Sequence, residues 1–169
     1  ELVSMAWSKD NSSLVYIKGQ QVYVYNIQYK WHKQVELPQY TEGYITHIQW
    51  TNAENQFVVM YLNRLQTELS VALVDVNTLI AKRIYNYKED KFISPENASY
   101  ILMFPDASEF GVLEEKDGYN HLHVYSLNNG RYIYQVGKGN YDVTKIYGYD
   151  PKSKQIFYQS SENGALNRG

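Results

Sequence analysis

The side chains that could do chemistry in this 169-residue chain are hydroxyls, imidazoles and carboxylates, because the sequence contains no cysteine. A serine hydrolase of the α/β type needs a Gly-x-Ser-x-Gly stretch, which exposes the nucleophilic hydroxyl on a sharp strand-to-helix turn. No such stretch occurs, and His32, His47, His121 and His123 all lie in strand-like contexts. We therefore expect no catalytic residue in this chain.

The pair His121 and His123 is the best candidate for a metal site. Residues i and i+2 of a strand point to the same face, so the two imidazoles could share a cation. A third ligand is not evident from the sequence. We therefore expect no metal, and we expect both rings to be satisfied by neighbouring backbone groups or carboxylates.

Glu114 and Glu115 could bind an ammonium group, because two carboxylates in a dry cleft form charge-assisted hydrogen bonds with a cation. The pair is followed directly by Lys116-Asp117-Gly118, which is typical of a hairpin turn. A solvated turn with a neutralising lysine is therefore favoured over a ligand site. The stretch 137–139, Gly-Lys-Gly, lacks the helix and Ser/Thr context of a phosphate-binding loop and is interpreted as a turn.

Charge and hydropathy restrict the partners. The chain has 16 Lys and Arg against 18 Asp and Glu, for a formal net charge of −2, which argues against nucleic-acid binding. No apolar run approaches the roughly 18 to 20 residues needed to cross a bilayer, so no membrane span is expected. No cofactor motif is present, and no cofactor is expected.

The elements that position these residues are predicted to be β-strands. The chain has 18 Tyr, 5 Phe and 3 Trp, and aromatic residues favour pleated, partly buried surfaces. An aromatic residue followed by a short polar turn and a β-rich run recurs at Trp7, Trp50, Phe104 and Tyr149, at spacings of 43, 54 and 45 residues. A period of about 40–45 residues with four strands per unit is typical of β-propeller blades.

We therefore predict an all-β fold, a partial β-propeller of about four antiparallel four-stranded blades with about fourteen strands and no helix. The blade-like units are 1–43, 44–97, 98–140 and an incomplete 141–169, all within one domain, 1–169. Second turns of the units are expected at 18–20, 63–66, 116–118 and 162–164. Propellers close with four to eight blades, so these units would form part of a ring and expose blade edges that invite self-association into homo-oligomers.

Five ordered strings carry a family resemblance: YITHIQWT at 44–51, LNRLQ at 62–66, EKDGYNH at 115–121, KGNYDVT at 138–144 and ALNR at 165–168. Together they resemble the N-terminal propeller of dipeptidyl peptidase IV, particularly of its bacterial relatives. In that family an eight-bladed propeller caps an α/β-hydrolase domain, and the substrate peptide lies between the two. The resemblance implies a parent serine exopeptidase that releases N-terminal X-Pro or X-Ala dipeptides, and a periplasmic or extracellular location.

The resemblance implies that the catalytic triad lies outside this chain, which would bind and gate the peptide substrate of the absent hydrolase domain. Phe92 lies roughly where relatives place an aromatic that faces the substrate cleft, although an ordinary contact between blades is an alternative. Arg64 recurs in the family string, and either a turn ion pair or a ligand contact would explain it. The resemblance also implies a glutamate pair that clamps the substrate amine and precedes the string at 44–51, but we do not find this pair. Either residues 1–43 replace that region or the sequence skips it, and Glu114 and Glu115 on a later blade do not substitute for the pair.

Two other classes of function remain open from the sequence. A free-standing interaction propeller would use its Tyr-rich blade surfaces for contact with another protein. A carbohydrate-active propeller would need paired catalytic carboxylates, which we do not find.

Overall fold

The computed structural model describes residues 4–106 and 108–161, which form two compact units that divide between residues 99 and 100. In the first unit, two four-stranded sheets follow the chain order. Sheet 1 contains β1 (Met5–Trp7), β2 (Ser13–Lys18), β3 (Gln21–Asn26) and β4 (Trp31–Val35). Sheet 2 contains β5 (Gly43–Trp50), β6 (Gln56–Asn63), β7 (Glu68–Asp75) and β8 (Ala81–Lys88), and the helix α1 (Pro95–Ser99) follows it.

In the second unit, sheet 3 contains β9 (Leu102–Phe104), β10 (Glu109–Lys116), β11 (Tyr119–Ser126) and β12 (Tyr132–Val136). Sheet 4 is a two-stranded ribbon of β13 (Val143–Asp150) and β14 (Gln155–Ser160). All pairings within the described ranges are antiparallel, and within each sheet consecutive strands of the chain pair with one another. The prediction of an all-β, partial-propeller fold is therefore confirmed.

The short helix α1 was not predicted. Its signals are local: Ser94 Oγ accepts a hydrogen bond from the backbone N–H of Asn97 at 3.2 Å, and Pro95 occupies the first helical position. These are typical helix-start residues, but five residues are too few to show a helical period.

The tight hairpin turns lie where the sequence predicts them. Gly19 and Gln20 join β2 to β3 with φ values of 57° and 59°, and Asp117 and Gly118 join β10 to β11 with φ values of 54° and 83°. Two successive positive φ angles match the right-handed twist of the flanking strands, which is why glycine or a short polar residue occurs there. The turn predicted at 162–164 lies outside the described residues.

The sheets of each unit bury apolar side chains against each other. In the first unit, side chains of sheet 1 such as Val15 and Val24 share a core with Phe57 and Val59 of sheet 2. In the second unit, Leu122 of sheet 3 packs in a core with Val143 and Ile146 of sheet 4. Central strands such as β6 are buried on both faces, as expected for a sheet with a neighbour on each side.

The sequence repeat corresponds to contacts between equivalent positions of adjacent sheets. Trp50 Nε1 donates a hydrogen bond to the carbonyl oxygen of Ala6 at 3.0 Å, 44 residues away. The ring of Tyr149 meets the ring of Phe104 edge to face, with centroids 4.9 Å apart. Tyr149 Oη also donates to Asp106 Oδ2 at 2.9 Å, 43 residues away. Trp50 and Tyr149 therefore each join their own sheet to the preceding sheet of the same unit.

Strands β4, β8 and β12 form one outer edge of their respective sheets. Strand β12 presents three consecutive exposed apolar side chains, Tyr132, Ile133 and Tyr134.

Helix α1 has only five residues, and no helix within residues 4–106 and 108–161 is long and apolar enough to cross a membrane.

Candidate functional site

Phe92 lies on the loop between β8 and α1 and is 78% exposed. Both sides of this loop are anchored to the β6–β7 turn. The N–H of Glu89 donates to the carbonyl oxygen of Thr67, and the N–H of Ile93 donates to that of Gln66, both at 2.9 Å. Ile93 is itself buried. Hydrogen bonds at both ends of the loop therefore fix the backbone that carries the solvent-exposed Phe92 ring. The substrate-cleft role of Phe92 stays a prediction.

A charged pocket of about 430 Å³ lies beside this loop and is lined by Thr67, Glu68, Lys88, Glu89 and Asp90. The Glu68 carboxylate makes three polar contacts here. It accepts a hydrogen bond from Asn86 Nδ2 at 2.7 Å, and it lies 3.4 Å from Lys88 Nζ and 3.5 Å from Arg83 Nη1. The hydroxyl of Tyr87 donates to Glu89. The pocket offers both carboxylate acceptors and an ammonium donor to a polar chain such as a peptide.

Arg64 forms an ion pair with Glu42, with Nη1 2.9 Å from Oε2. The side chains are 76% and 69% exposed, so the pair contributes at most about 1 kcal/mol to stability. Of the two interpretations left open by the sequence, the structure shows the turn ion pair. The two side chains form part of an open pocket of about 410 Å³, which also includes Tyr40 and Tyr44.

The prediction of a solvated turn is wrong for Glu114. It lies within β10 and is 1% exposed, whereas Glu115 is exposed. Glu114 Oε2 lies 2.8 Å from Lys116 Nζ, and its Oε1 accepts a hydrogen bond from the hydroxyl of Tyr125. Glu114 shares a strand face with the buried Phe110 and Val112, because side chains alternate along a strand. The opposite face of β10 is buried as well, at Gly111 and Leu113, so alternation along the strand carried no signal that Glu114 is buried.

The expectation that the His121 and His123 rings are satisfied is also wrong. Both side chains are buried, and the strand register sets Glu114 opposite His121 and Val112 opposite His123, on one face of sheet 3. His121 Nε2 and both ring nitrogens of His123 have no hydrogen-bond partner in the part of the chain that the structure describes. Burial lowers the pKa of His123 from its ordinary value, and the nearby Glu114 carboxylate opposes that effect. The ring of His123 is therefore neutral near pH 7.

The two histidines do not form a metal centre with their neighbours. No group of three or more His, Asp or Glu residues in the described part of the chain is arranged to hold a metal ion. His47 and His32 lie elsewhere: His47 Nε2 is 3.1 Å from Gln49 Oε1, and His32 is exposed on β4.

The glycines at 137 and 139 lie in a loop that packs closely against Tyr141. A Cβ on Gly137 would lie 2.5 Å from Tyr141 Oη, and a Cβ on Gly139 would lie 2.7 Å from Tyr141 Cε1. The loop therefore passes directly over the tyrosine ring, which only glycine permits.

Two of the strings that carry the family resemblance meet in space. The backbone N–H of Asn120 donates to Asp142 Oδ1 at 2.8 Å, and Asn120 Nδ2 donates to the carbonyl oxygen of Val143 at 3.0 Å. The ring of His121 meets that of Tyr141 edge to face, with centroids 5.1 Å apart. The residues around 115–121 and 138–144 thus join sheet 3 to sheet 4. The string at 165–168 lies outside the described residues.

The fold and these sites were compared with known proteins. The structure is similar to the crystal structure of Porphyromonas gingivalis dipeptidyl peptidase 4, with a TM-score of 0.84 and 27% identity over 95% of this chain and 27% of that one. In sequence, the chain is 25% identical over 134 residues to inactive dipeptidyl peptidase 10 of Mus musculus, covering 75% of this chain. It is 27% identical over 135 residues to probable dipeptidyl peptidase 4 of Aspergillus clavatus, covering 76% of this chain.

The chain spans 17% of the length of each of these two curated relatives. The family described as the dipeptidyl peptidase IV (DPP IV) N-terminal region matches residues 20–169, which is most of the sequence. That family match, the likeness in fold and the joined strings agree with one another. The chain belongs to the dipeptidyl peptidase IV N-terminal region family.

Proposed function

We propose that this chain is a substrate-gating and substrate-binding part of the propeller of a dipeptidyl-peptidase-IV-like serine exopeptidase. The parent protein would release X-Pro or X-Ala dipeptides from peptide N-termini, with its nucleophile in an α/β-hydrolase domain outside this chain. The observation that carries the proposal is the family match over residues 20–169, supported by the fold likeness to a dipeptidyl peptidase 4.

The chain's own role would be exclusion and orientation of substrate rather than bond breaking. Phe92 is the residue that we propose to line the substrate cleft. An aromatic ring held by an anchored loop restricts a peptide with little loss of side-chain entropy, and the adjacent charged pocket offers polar contacts to the peptide.

The parent's activity is a separate part of the proposal. One of the two curated relatives is named inactive and the other is named a probable dipeptidyl peptidase 4. Assay of the full-length protein with a Gly-Pro chromogenic substrate tests it. We expect turnover that a serine-reactive inhibitor abolishes, whereas this chain alone should stay at background. If the full-length protein turns the substrate over no faster than background, the peptidase function is refuted.

The gating role is tested by Phe92→Ala in the full-length protein, with Ile80→Ala as the matched control. Ile80 is also exposed, at 66%, but lies beyond the opposite end of β8. Because both residues are exposed, each change should alter stability by less than about 0.5 kcal/mol. We expect Phe92→Ala to change kcat/KM more for long peptides than for a dipeptide chromogenic substrate. Equal kinetics for wild type, Phe92→Ala and Ile80→Ala would remove Phe92 from the cleft.

A second proposal concerns contact between copies of the protein. Strand β12 has an unpaired outer edge in its sheet and three exposed apolar side chains, and such edges favour association. A homo-oligomer through these edges, or an interaction propeller that binds another protein, would use this surface. Ile133→Lys should then shift the full-length protein to smaller species in sedimentation velocity, and an unchanged distribution would refute edge-mediated self-association.

We also propose a periplasmic or extracellular location, on the family likeness alone. Fractionation of the source cells with an antibody against the chain tests the location. Recovery only from the cytoplasmic fraction would contradict it.

A further inference from the structure

Buried polar atoms without a partner are concentrated in one place. Within the described residues, three buried ring nitrogens of His121 and His123 have no hydrogen-bond partner: Nε2 of His121 and both nitrogens of His123. Buried polar groups are nearly always paired, so each exception needs a physical reason. Both nitrogens of His123 are such exceptions, on a side chain that is 1% exposed.

The charged and titratable groups around His123 come from three strands. Glu114 and Lys116 of β10 and His121 of β11 act on it electrostatically, and the ring of Tyr132 of β12 lies with its centroid 6.0 Å away. At neutral pH the charges of Glu114 and Lys116 balance, and the imidazole of His123 is uncharged.

Glu114, Lys116, His121 and His123 form one cluster, and Lys116 connects this cluster to β12, the outer strand of the sheet. Its Nζ lies 2.8 Å from Glu114 Oε2, 3.4 Å from Tyr125 Oη and 5.2 Å from the centroid of the Tyr132 ring. A cation over an aromatic face is attracted to it. One ammonium group thus ties β10 to β12 across β11.

The pairing of β12 is weak at this point. The register of β11 with β12 shifts between Val124 and Tyr125, and no strand among residues 4–106 and 108–161 pairs with the other side of β12. Bulged edge strands are among the easiest parts of a sheet to open. Loss of the contact between Lys116 and Tyr132 should therefore make β12 open more often.

We propose that this cluster is an acid-responsive latch, in which a proton taken up by His123 makes its ring compete with Lys116 for the Glu114 carboxylate and so frees Lys116 from Tyr132. The exposures decide which partner leaves. Lys116 is 44% exposed and can move into water, whereas Glu114 and His123 are both 1% exposed and cannot. Exchange of partners keeps the buried pair neutral, and the extra positive charge moves to the solvent.

The direction of the pH effect follows from burial. Burial holds the pKa of His123 below its ordinary value of 6.5, so the unfolded chain takes up this proton before the folded chain does. The stabilisation due to the neutral ring is complete above pH 6.5 and is lost progressively as the pH falls below that value. The latch therefore opens on the acid side, and it does so whether or not the parent protein is a peptidase.

Hydrogen exchange of the full-length protein, measured on the segment Tyr132–Val136 and corrected for intrinsic rates, tests the latch. Uptake of a single proton changes an opening equilibrium by up to about tenfold per pH unit below the unfolded pKa. We expect protection of β12 in the wild type to fall about tenfold or more between pH 7.5 and pH 5. His123→Leu should abolish this dependence, while His32→Gln, which alters an exposed histidine, should retain it.

Lys116→Met provides an independent readout at a half-exposed position. We expect its β12 protection to be low already at pH 7.5, with little further fall at pH 5. The proposal is overturned if wild-type protection does not change with pH, if His123→Leu responds like wild type, or if Lys116→Met keeps the full wild-type response. If His123→Leu fails to fold, the Lys116→Met result alone decides between these outcomes.

Discussion

The ion pair between Glu114 and Lys116 is asymmetric in burial, and this asymmetry predicts unequal effects of removing its two members. At a separation of 2.8 Å and an effective dielectric constant of about 20, the gross attraction is about 6 kcal/mol. Most of it offsets the desolvation of Glu114, which is almost fully buried. Lys116 keeps nearly half of its exposure and loses little hydration.

Removal of Lys116 should therefore cost more than removal of the Glu114 charge. Lys116→Met leaves a buried carboxylate that still accepts the hydrogen bond from the Tyr125 hydroxyl but has lost its ammonium partner, and should destabilise sheet 3 by about 3 kcal/mol. Glu114→Gln keeps an acceptor for Tyr125 and leaves Lys116 free to reach water, so it should cost about 1 kcal/mol. The double variant should cost about 1 kcal/mol rather than the sum of the two.

These costs are measured as changes in hydrogen-exchange free energy of the β10 and β11 amides in the full-length protein at pH 7.5. Lys145→Met is the matched control, because Lys145 also lies over a tyrosine ring, 5.1 Å from the centroid of Tyr147, but is exposed. It should change stability by less than about 0.5 kcal/mol. A Lys116→Met cost equal to or below that of Glu114→Gln would refute the reasoning from burial.

Two further predictions concern the first unit. Burial raises the pKa of Tyr61 from 10.0 to about 12. As the pH rises, the phenol therefore ionises in the unfolded chain before it ionises in the folded chain. The stability due to the neutral phenol is complete below pH 10 and is lost as the pH rises through 12. Denaturant unfolding between pH 9 and 12 should show this loss in wild type and less of it in Tyr61→Phe; equal slopes would contradict the assignment. A Cβ on Gly43 would lie 2.0 Å from the carbonyl oxygen of Leu62, so Gly43→Ala should cost about 2 kcal/mol in denaturant unfolding. Gly19→Asn, in an open left-handed position, should cost less than about 1 kcal/mol, and equal costs would refute the steric explanation.

The sheet architecture was predictable because its signals are local. Alternating residues define the strands, and the Gly19 and Gly118 turns need backbone angles that few residues adopt. The period between Trp7 and Trp50 was visible because equivalent positions of neighbouring sheets contact each other, so similar residues recur at the same place in each module.

The buried charge cluster was not predictable in the same way. In a strand covered on both faces, apolar residues occur at odd and even positions alike, so the pattern does not distinguish a buried Glu114 from an exposed one. The environment of Glu114 is set by Tyr125 of the next strand and by Lys116 at the end of β10, both of which contact its carboxylate. The cleft-lining role proposed for Phe92 would likewise depend on a facing surface, and the chain spans 27% of the similar P. gingivalis structure.

The contacts between equivalent positions have a consequence for how such a protein changes in evolution. Trp50 reaches back to the strand that ends at Trp7, and Tyr149 reaches back to Phe104, so both junctions use a side chain at the same place in the module. A gene duplication that adds one module, or a deletion that removes one, would bring together two surfaces already suited to each other. Copy number could then vary by whole modules without the invention of a new interface.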